Sequence, residues 1–296
     1  MVEIDSVLLG DNPLFGINHL AQEKARERSF TLGNIASIAE IIQHGVNLGI
    51  NGFVVSTYPS LYDLIKFFKN ETDVLERLNF YPIIPYAQGY VTKVTEKGIP
   101  GTVKDMLSRV SFSEKTQILG RGTLSLMKND FQSLFKIFLD IEIIPLKQVK
   151  TKIVFLHDVI TDLALGLGAK EIFEIFLNYV KDKHDIQPGL VTKNFPLLVN
   201  SLDRWKIEKP PIMTSFNKIG TQMNPTPAEC EKCILENDVQ VIAMNTLSGG
   251  YLKPKDAFDY LEKFPKIKSI VVGSSTKEHI DEFFHLLSKN QKLRSV

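Results

Sequence analysis

The 296-residue sequence predicts an α/β fold, a single (β/α)8 TIM barrel spanning residues 1–296. Eight short apolar runs, rich in β-branched and aromatic residues, alternate with longer segments of helical period almost from end to end. The runs are continuously apolar rather than alternating, as strands buried on both faces of a parallel sheet must be. The last four close 24 to 29 residues apart, the rhythm of repeated strand–helix units. A doubly wound open sheet would use the same elements but leave its two outermost strands as unprotected edges.

The elements follow in order. Val7–Gly10 is the first strand. Ile35, Ile38, Ala39, Ile42 and Val46 then share one helical face, and Gly49 follows where a left-handed C′ residue is wanted. Phe53–Thr57 and Tyr81–Ala87 are the next strands. More than sixty residues separate Ala87 from Lys152, including GYVTKVTEKGIPG and a helical stretch near Asp130–Ile141. This interval reads as one barrel helix plus an excursion over the mouth between strands 3 and 4. Lys152–His157 is the fourth strand, and Ile172, Ile175, Phe176 and Tyr179 form the next stripe. Gly189–Thr192 precedes Asn194, an N-cap with proline early in the helix behind it. Ile212–Phe216 precedes Thr226-Pro227, which repeats that signal. Val239–Met244 and Ser269–Gly273 complete the set, and Ile280, Phe283, Phe284 and Leu287 stripe the last helix.

Composition narrows the function. With 35 basic and 34 acidic residues the net charge is +1, not the basic surplus of a nucleic-acid binder. No run approaches the ~18 apolar residues of a membrane span. MVEIDSVLLGDNPLFG carries acids where a signal peptide carries bases, and two cysteines are too few for an oxidised framework. A cytoplasmic protein with a small-molecule partner is expected.

In such barrels the active site lies at the carboxyl ends of the strands. Polar residues there are Asp11, Asn12 and His19; Ser56, Thr57 and Tyr58; Tyr86 and Gln88; His157 and Asp158. The second half adds Thr192, Lys193 and Asn194; Ser215, Asn217 and Lys218; Asn245, Thr246, Ser248, Gly249 and Gly250; and Gly273, Ser274 and Ser275. The opposite ends are short, plain turns. At the eighth strand, IVVGSSTKEHIDEFF runs through Gly273 into a helix beginning near Thr276. Its first N–H groups, the Ser274 and Ser275 hydroxyls and Lys277 can hold an anion at the positive end of the dipole. TLSGGYLKP supplies Ser248, Gly249 and Gly250 beside it. The expected ligand is a phosphorylated substrate or a nucleotide, with Asn217 orienting it. The plain alternative is that GSS is only a capped turn.

These motifs carry a resemblance. PIMTSFN, VIAMNTLSGGYLKP and SIVVGSSTKEHIDEF resemble the last third of the aldo-keto reductases, with their “SPLxxGxL” and “VxGxxxxEH” segments. IVFLHD resembles the strand ending in that family's active-site histidine, which falls on His157. HDIQPGLVTKNFPLL resembles “GKIRxIGVSNF”, and GINGFVVSTYPS resembles “GxNFFDTAxxYG”. The resemblance implies NADP(H) and hydride transfer. It also implies a tetrad of aspartate, tyrosine, lysine and histidine, from which this chain departs. The aspartate position reads Val54 or Val55, and the lysine position falls within Ile84-Pro85-Tyr86. Tyr58 is a candidate tyrosine whose register is open. Because a neighbouring lysine charge is what brings a tyrosine towards the working range, ordinary carbonyl reduction is not expected.

His157 is then the expected acid/base or electrophile, with Asp11, Asn12 and His19 forming the other wall and Asp158 beside it. Lys193 is a candidate Schiff-base amine, which would make the protein a cofactor-free lyase or isomerase of sugar phosphates; it can equally be a surface lysine. A nucleotide-binding barrel that has lost catalysis is the third reading. Asp11, His19, His157 and Asp158 can converge on a metal, but no HxH or ExxH pair fixes two ligands locally, and none is assigned. Cys230 and Cys233 share a helical face with Ile234 and read as small core residues.

Overall fold

The computed structural model describes residues 2–15, 34–85 and 131–289. Eight parallel strands close a barrel in chain order. They are β1 (Val7–Gly10), β2 (Gly52–Ser56), β3 (Asn79–Ile84), β4 (Ile153–Leu156), β5 (Gln187–Thr192), β6 (Ile212–Ser215), β7 (Val241–Met244) and β8 (Ile267–Gly273). β8 returns to β1, with Val7 opposite Ile270 and Gly10 opposite Gly273, so both ends of the sheet are paired. The predicted strands fall within three residues of these bounds. The fourth ends at Leu156, one residue earlier than expected: His157 still donates its N–H to Ile84 O at 2.8 Å, but its carbonyl already accepts from Ile160 N and Thr161 N of the following helix.

Ten α-helices are found among the described residues: α1 (Ile35–Asn47), α2 (Pro59–Glu71), α3 (Val74–Arg77), α4 (Phe131–Ile143), α5 (Asp158–Leu167), α6 (Lys170–His184), α7 (Phe195–Trp205), α8 (Pro227–Glu236), α9 (Pro254–Leu261) and α10 (Lys277–Lys289). Their ends carry the signals read from sequence. Asn194 Oδ1 accepts the Leu197 N–H at 3.2 Å and Thr226 Oγ1 that of Glu229 at 3.3 Å. Gly49 has φ +94°, the left-handed conformation the end of α1 requires. α4 is the helical stretch expected near Asp130–Ile141. The remainder of the excursion, and His19, Tyr86 and Gln88, lie outside the described residues. No helix among the described residues is long and apolar enough to cross a membrane.

Alternation sorts the side chains. Leu8, Val54, Tyr81, Ile153, Phe155, Val191, Met213 and Ile242 fill the barrel interior, while their chain neighbours pack outward on the helices. Glycine makes room for the large members of that interior layer. A Cβ at Gly189 would sit 2.4 Å from the Phe155 ring, and one at Gly52 2.2 Å from Leu8. Below this layer Asp5 ties the amino ends together. It accepts from the Tyr81 hydroxyl at 2.5 Å and the Asn79 amide at 2.9 Å, and pairs with Lys152 at 3.3 Å. The same alternation carries upward, so His157, Lys193 and Ser215 continue the inward-facing rows of β4, β5 and β6 into the mouth.

Candidate active site

On β1 the chain turns at once: Asp11 O accepts from Leu14 N at 2.9 Å and Phe15 N at 3.1 Å. This folds the Asp11 carboxyl back over the barrel, where its Oδ2 accepts the Ser56 N–H at 2.8 Å across to β2. Asp11 is buried, and burial lifts it from the usual 3.8 to about 7, against the opposing pull of backbone N–H groups and of His157. Asn12 is half-buried in the same turn. The next residue on β2's exit, Thr57, donates its hydroxyl to Glu142 at the end of α4. Burial pushes Glu142 up to about 7 as well. Two carboxyls that stay largely neutral below neutrality thus flank the end of β2.

The opposite wall is charged. His157 Nδ1 lies 2.7 Å from Asp158 Oδ1 and 3.1 Å from Val159 N, and Val159 N is 3.0 Å from the same carboxylate oxygen. Placing the proton on Nδ1 satisfies all three groups: Nδ1–H and Val159 N–H both donate to Asp158, and Nε2 is left for other work. Asp158 Oδ2 pairs with Lys193 Nζ at 3.1 Å. Burial works to raise Asp158, but hydrogen bonding and charge from His157, with Lys193 behind them, outweigh it and hold the carboxyl well below the usual range. Lys193 is itself oriented from below. Asp162 of α5 accepts the Thr192 hydroxyl at 2.5 Å and the Lys193 N–H at 3.0 Å, and burial keeps this carboxyl raised.

The third wall joins β6, β7 and β8. Both ends of the Asn217 amide close its own loop, with Nδ2 donating to Thr221 O and Oδ1 accepting Thr221 N–H, each at 2.9 Å. Asn217 therefore shapes the loop that follows β6. After β7 the backbone turns left-handed at Ser248, Gly249 and Gly250, with φ of +49°, +69° and +90°. Serine adopts that conformation at a cost, and here its buried hydroxyl has no hydrogen-bond partner among the described residues. At β8, Gly273 has no side chain because Pro13 fills the space, 2.9 Å from where a Cβ would stand. Ser274 Oγ donates to Thr276 O at 2.8 Å and accepts Thr276 N–H, and Thr276 Oγ1 caps α10 through His279 N. Lys277 is half-exposed and 3.1 Å from Glu40.

The structure thus brings Asp11, His157, Asp158 and Lys193 to one mouth. Tyr58 is buried at the start of α2 with its ring 5.5 Å from that of Phe15, in the turn that follows Asp11. Cys230 and Cys233 are buried free thiols that burial pushes up to about 12 and about 11. Sequence reasoning did not assign roles to Glu142 and Asp162. The only signal was an acid set in an otherwise apolar helical run, FLDIEII and VITDLALGL.

No family model matches the sequence, and no curated protein matches it. Solved structures do match in fold. A Pseudomonas aeruginosa protein assigned to the aldo-keto reductases has a TM-score of 0.58 at 13% identity, over 97% of this chain and 90% of that one. The aldo-keto reductase AKR11C1 of Bacillus halodurans, solved in its holo form, has a TM-score of 0.55 at 12% identity, covering 98% and 91%. A third aldo-keto reductase, AKR2E5, was solved with NADPH and has a TM-score of 0.51 at 10% identity over 99% and 83%. The chain therefore has the same fold as these barrels, at 10–13% identity.

Proposed function

We propose that the mouth is the active site of an enzyme that binds a small phosphate-bearing ligand, with NADP(H) as the nucleotide, and that His157 replaces a tyrosine–lysine pair as its proton donor. The observation that carries this reading is His157 itself: it continues the inward row of β4, Asp158 fixes its Nδ1, and among the described residues none bonds its Nε2. The likeness in fold to proteins that include an NADPH complex supports the choice of nucleotide. The buried Ser248 hydroxyl, without a partner among the described residues and in a left-handed turn after β7, is consistent with a polar ligand group there. Ser248, Gly249, Gly250, Ser275 and Lys277 would hold the phosphates, while Gly273 and Ser274 shape the wall behind them.

When bound, NADPH supplies a hydride. The chain's own part is the proton: protonated His157 donates from Nε2 to a substrate carbonyl oxygen, and the Asp158 carboxylate stabilises the imidazolium beforehand. Asp11, buried within electrostatic reach of His157 and titrating near 7, sets how much negative charge that imidazolium faces. In the reverse direction neutral Nε2 takes the proton from a hydroxyl. This arrangement differs from standard carbonyl reduction by tyrosine and lysine.

The alternative, a cofactor-free lyase or isomerase using Lys193 as a Schiff-base amine, has the inward direction of Lys193 in its favour. Against it, the amine is ion-paired with Asp158, and a Schiff base needs it neutral. A fluorescence titration with NADPH and NADP+, with inorganic phosphate as competitor, followed by a carbonyl panel, tests the proposal. Phosphate-sensitive binding and turnover lost in His157→Phe are expected. Absence of nucleotide binding, or a borohydride-trapped adduct lost in Lys193→Met, overturns the proposal in favour of the alternative. Binding with no turnover on any carbonyl supports the reading of a barrel that has lost catalysis.

A further inference from the structure

α5 differs from the helices around it in what it shows to solvent. Thr161, Ala164 and Leu165 are its buried side. Its two acids are committed, Asp158 to His157 and Lys193, and Asp162 to the end of β5. Its exposed residues are Val159, Leu163, Gly166 and Leu167, with no acid, base or amide among them. Val159 is 54% exposed, Leu163 61% and Leu167 73%. Spaced four apart, these three form one ridge along the helix. Leu197, 41% exposed, stands in the first turn of α7, which packs against α5.

A single exposed leucine is ordinary. Leu235 on α8, for example, stands among Glu231, Lys232 and Glu236. α6, α7, α8, α9 and α10 each expose acids or bases, whereas α5 exposes none. A helix that is apolar on both sides is one that is covered on both sides.

Three features fit a second copy of this chain as the cover. The ridge is symmetric about Leu163, so a two-fold axis there sets two α5 helices antiparallel. That axis brings Leu163 against its own copy and directs Val159 towards Leu167 of the partner subunit. The face also carries no charge, so two copies meet without like charges opposed, and a charged partner would find nothing on it to pair with. Beside the ridge, Gly166 has nothing within 4 Å of where a Cβ would stand, which leaves room for a second helix to approach. In size, the three ridge residues and Leu197 present roughly 400 Å² of apolar surface, about half of what each partner buries in a standard interface, with a polar rim to supply the rest.

We propose that this face is the interface of a homodimer, in which the two α5 helices cross antiparallel at Leu163. The partner then steadies the helix whose first turn carries Asp158 and whose cap is His157. The proposal does not depend on what the mouth catalyses.

Sedimentation velocity of the full-length protein across about 1–100 μM tests it, and a particle of twice the 33.5 kDa of one chain is expected. Leu163→Glu opposes two like charges across the axis and should raise the dissociation constant about 100-fold or more, with the circular dichroism of the parent retained. Leu163→Cys should oxidise to a disulfide-linked dimer, because the axis sets the residue against its copy. The native Cys230 and Cys233 are buried, and Leu235→Cys, at a position 51% exposed but away from the axis, should stay unlinked. If Leu163→Glu does not fold, the crosslink decides. A parent that stays monomeric across the range, a dimer that survives Leu163→Glu, or a Leu163→Cys variant that links no better than Leu235→Cys would each overturn the proposal.

Discussion

Replacing Asp11 by asparagine isolates the energetic signature of a buried carboxyl. Asp11→Asn keeps the size of the side chain and an oxygen for the Ser56 N–H, but cannot ionise. In the folded protein the Asp11 carboxyl titrates at about 7, against 3.8 when unfolded. The folded state therefore holds a proton that the unfolded state has released, and stability falls as pH rises between those values, at roughly 1.4 kcal/mol per pH unit. The contribution is fully present below the unfolded value and is lost by the time pH passes about 7. From pH 5 to pH 8 the parent should lose about 3 kcal/mol that Asp11→Asn does not lose. Any constant cost of the amide shifts both ends equally, so the pH-dependent difference is the quantity that matters. Urea unfolding followed by circular dichroism at pH 5, 6, 7 and 8 measures it. If the difference between parent and variant is flat across that range, Asp11 is not a neutral acid at the mouth, and its part in setting the charge at His157 fails with it.

Glu142→Gln should show the same sign over a similar window, because burial lifts Glu142 from 4.5 to about 7; a pH-independent difference in unfolding free energy would contradict it. Asp162→Ala removes the acceptor of the Thr192 hydroxyl and the Lys193 N–H, and should cost about 1–3 kcal/mol of stability in urea. Asp158→Asn should lower turnover and weaken its pH dependence, since imidazolium support is lost while Val159 keeps an oxygen to bond; an unchanged pH–rate profile would remove Asp158 from the mechanism. Gly189→Ala should destabilise by about 1–3 kcal/mol, because the added methyl meets the Phe155 ring inside the barrel; a melting temperature equal to the parent's would show that the ring can yield.

The sequence by itself determined the barrel. Strand identity is written in short apolar runs, helix faces in a period of about 3.6, and helix ends in residues such as Asn194, Thr226 and Gly49, all of which act within a few residues of themselves. It also put His157, Asp158 and Lys193 at strand ends, because in a parallel barrel the exit of each strand is on the same side. Charge state and pairing were beyond it. Asp11 meets Ser56, and Thr57 meets Glu142, only after the barrel has closed, 45 and 85 residues apart. That the Asn217 amide bonds Thr221, and that Pro13 lies against Gly273, likewise appears only in the folded chain. Burial and long-range neighbours decide whether a polar group is neutral, committed or left without a partner, and those are properties of the tertiary structure alone.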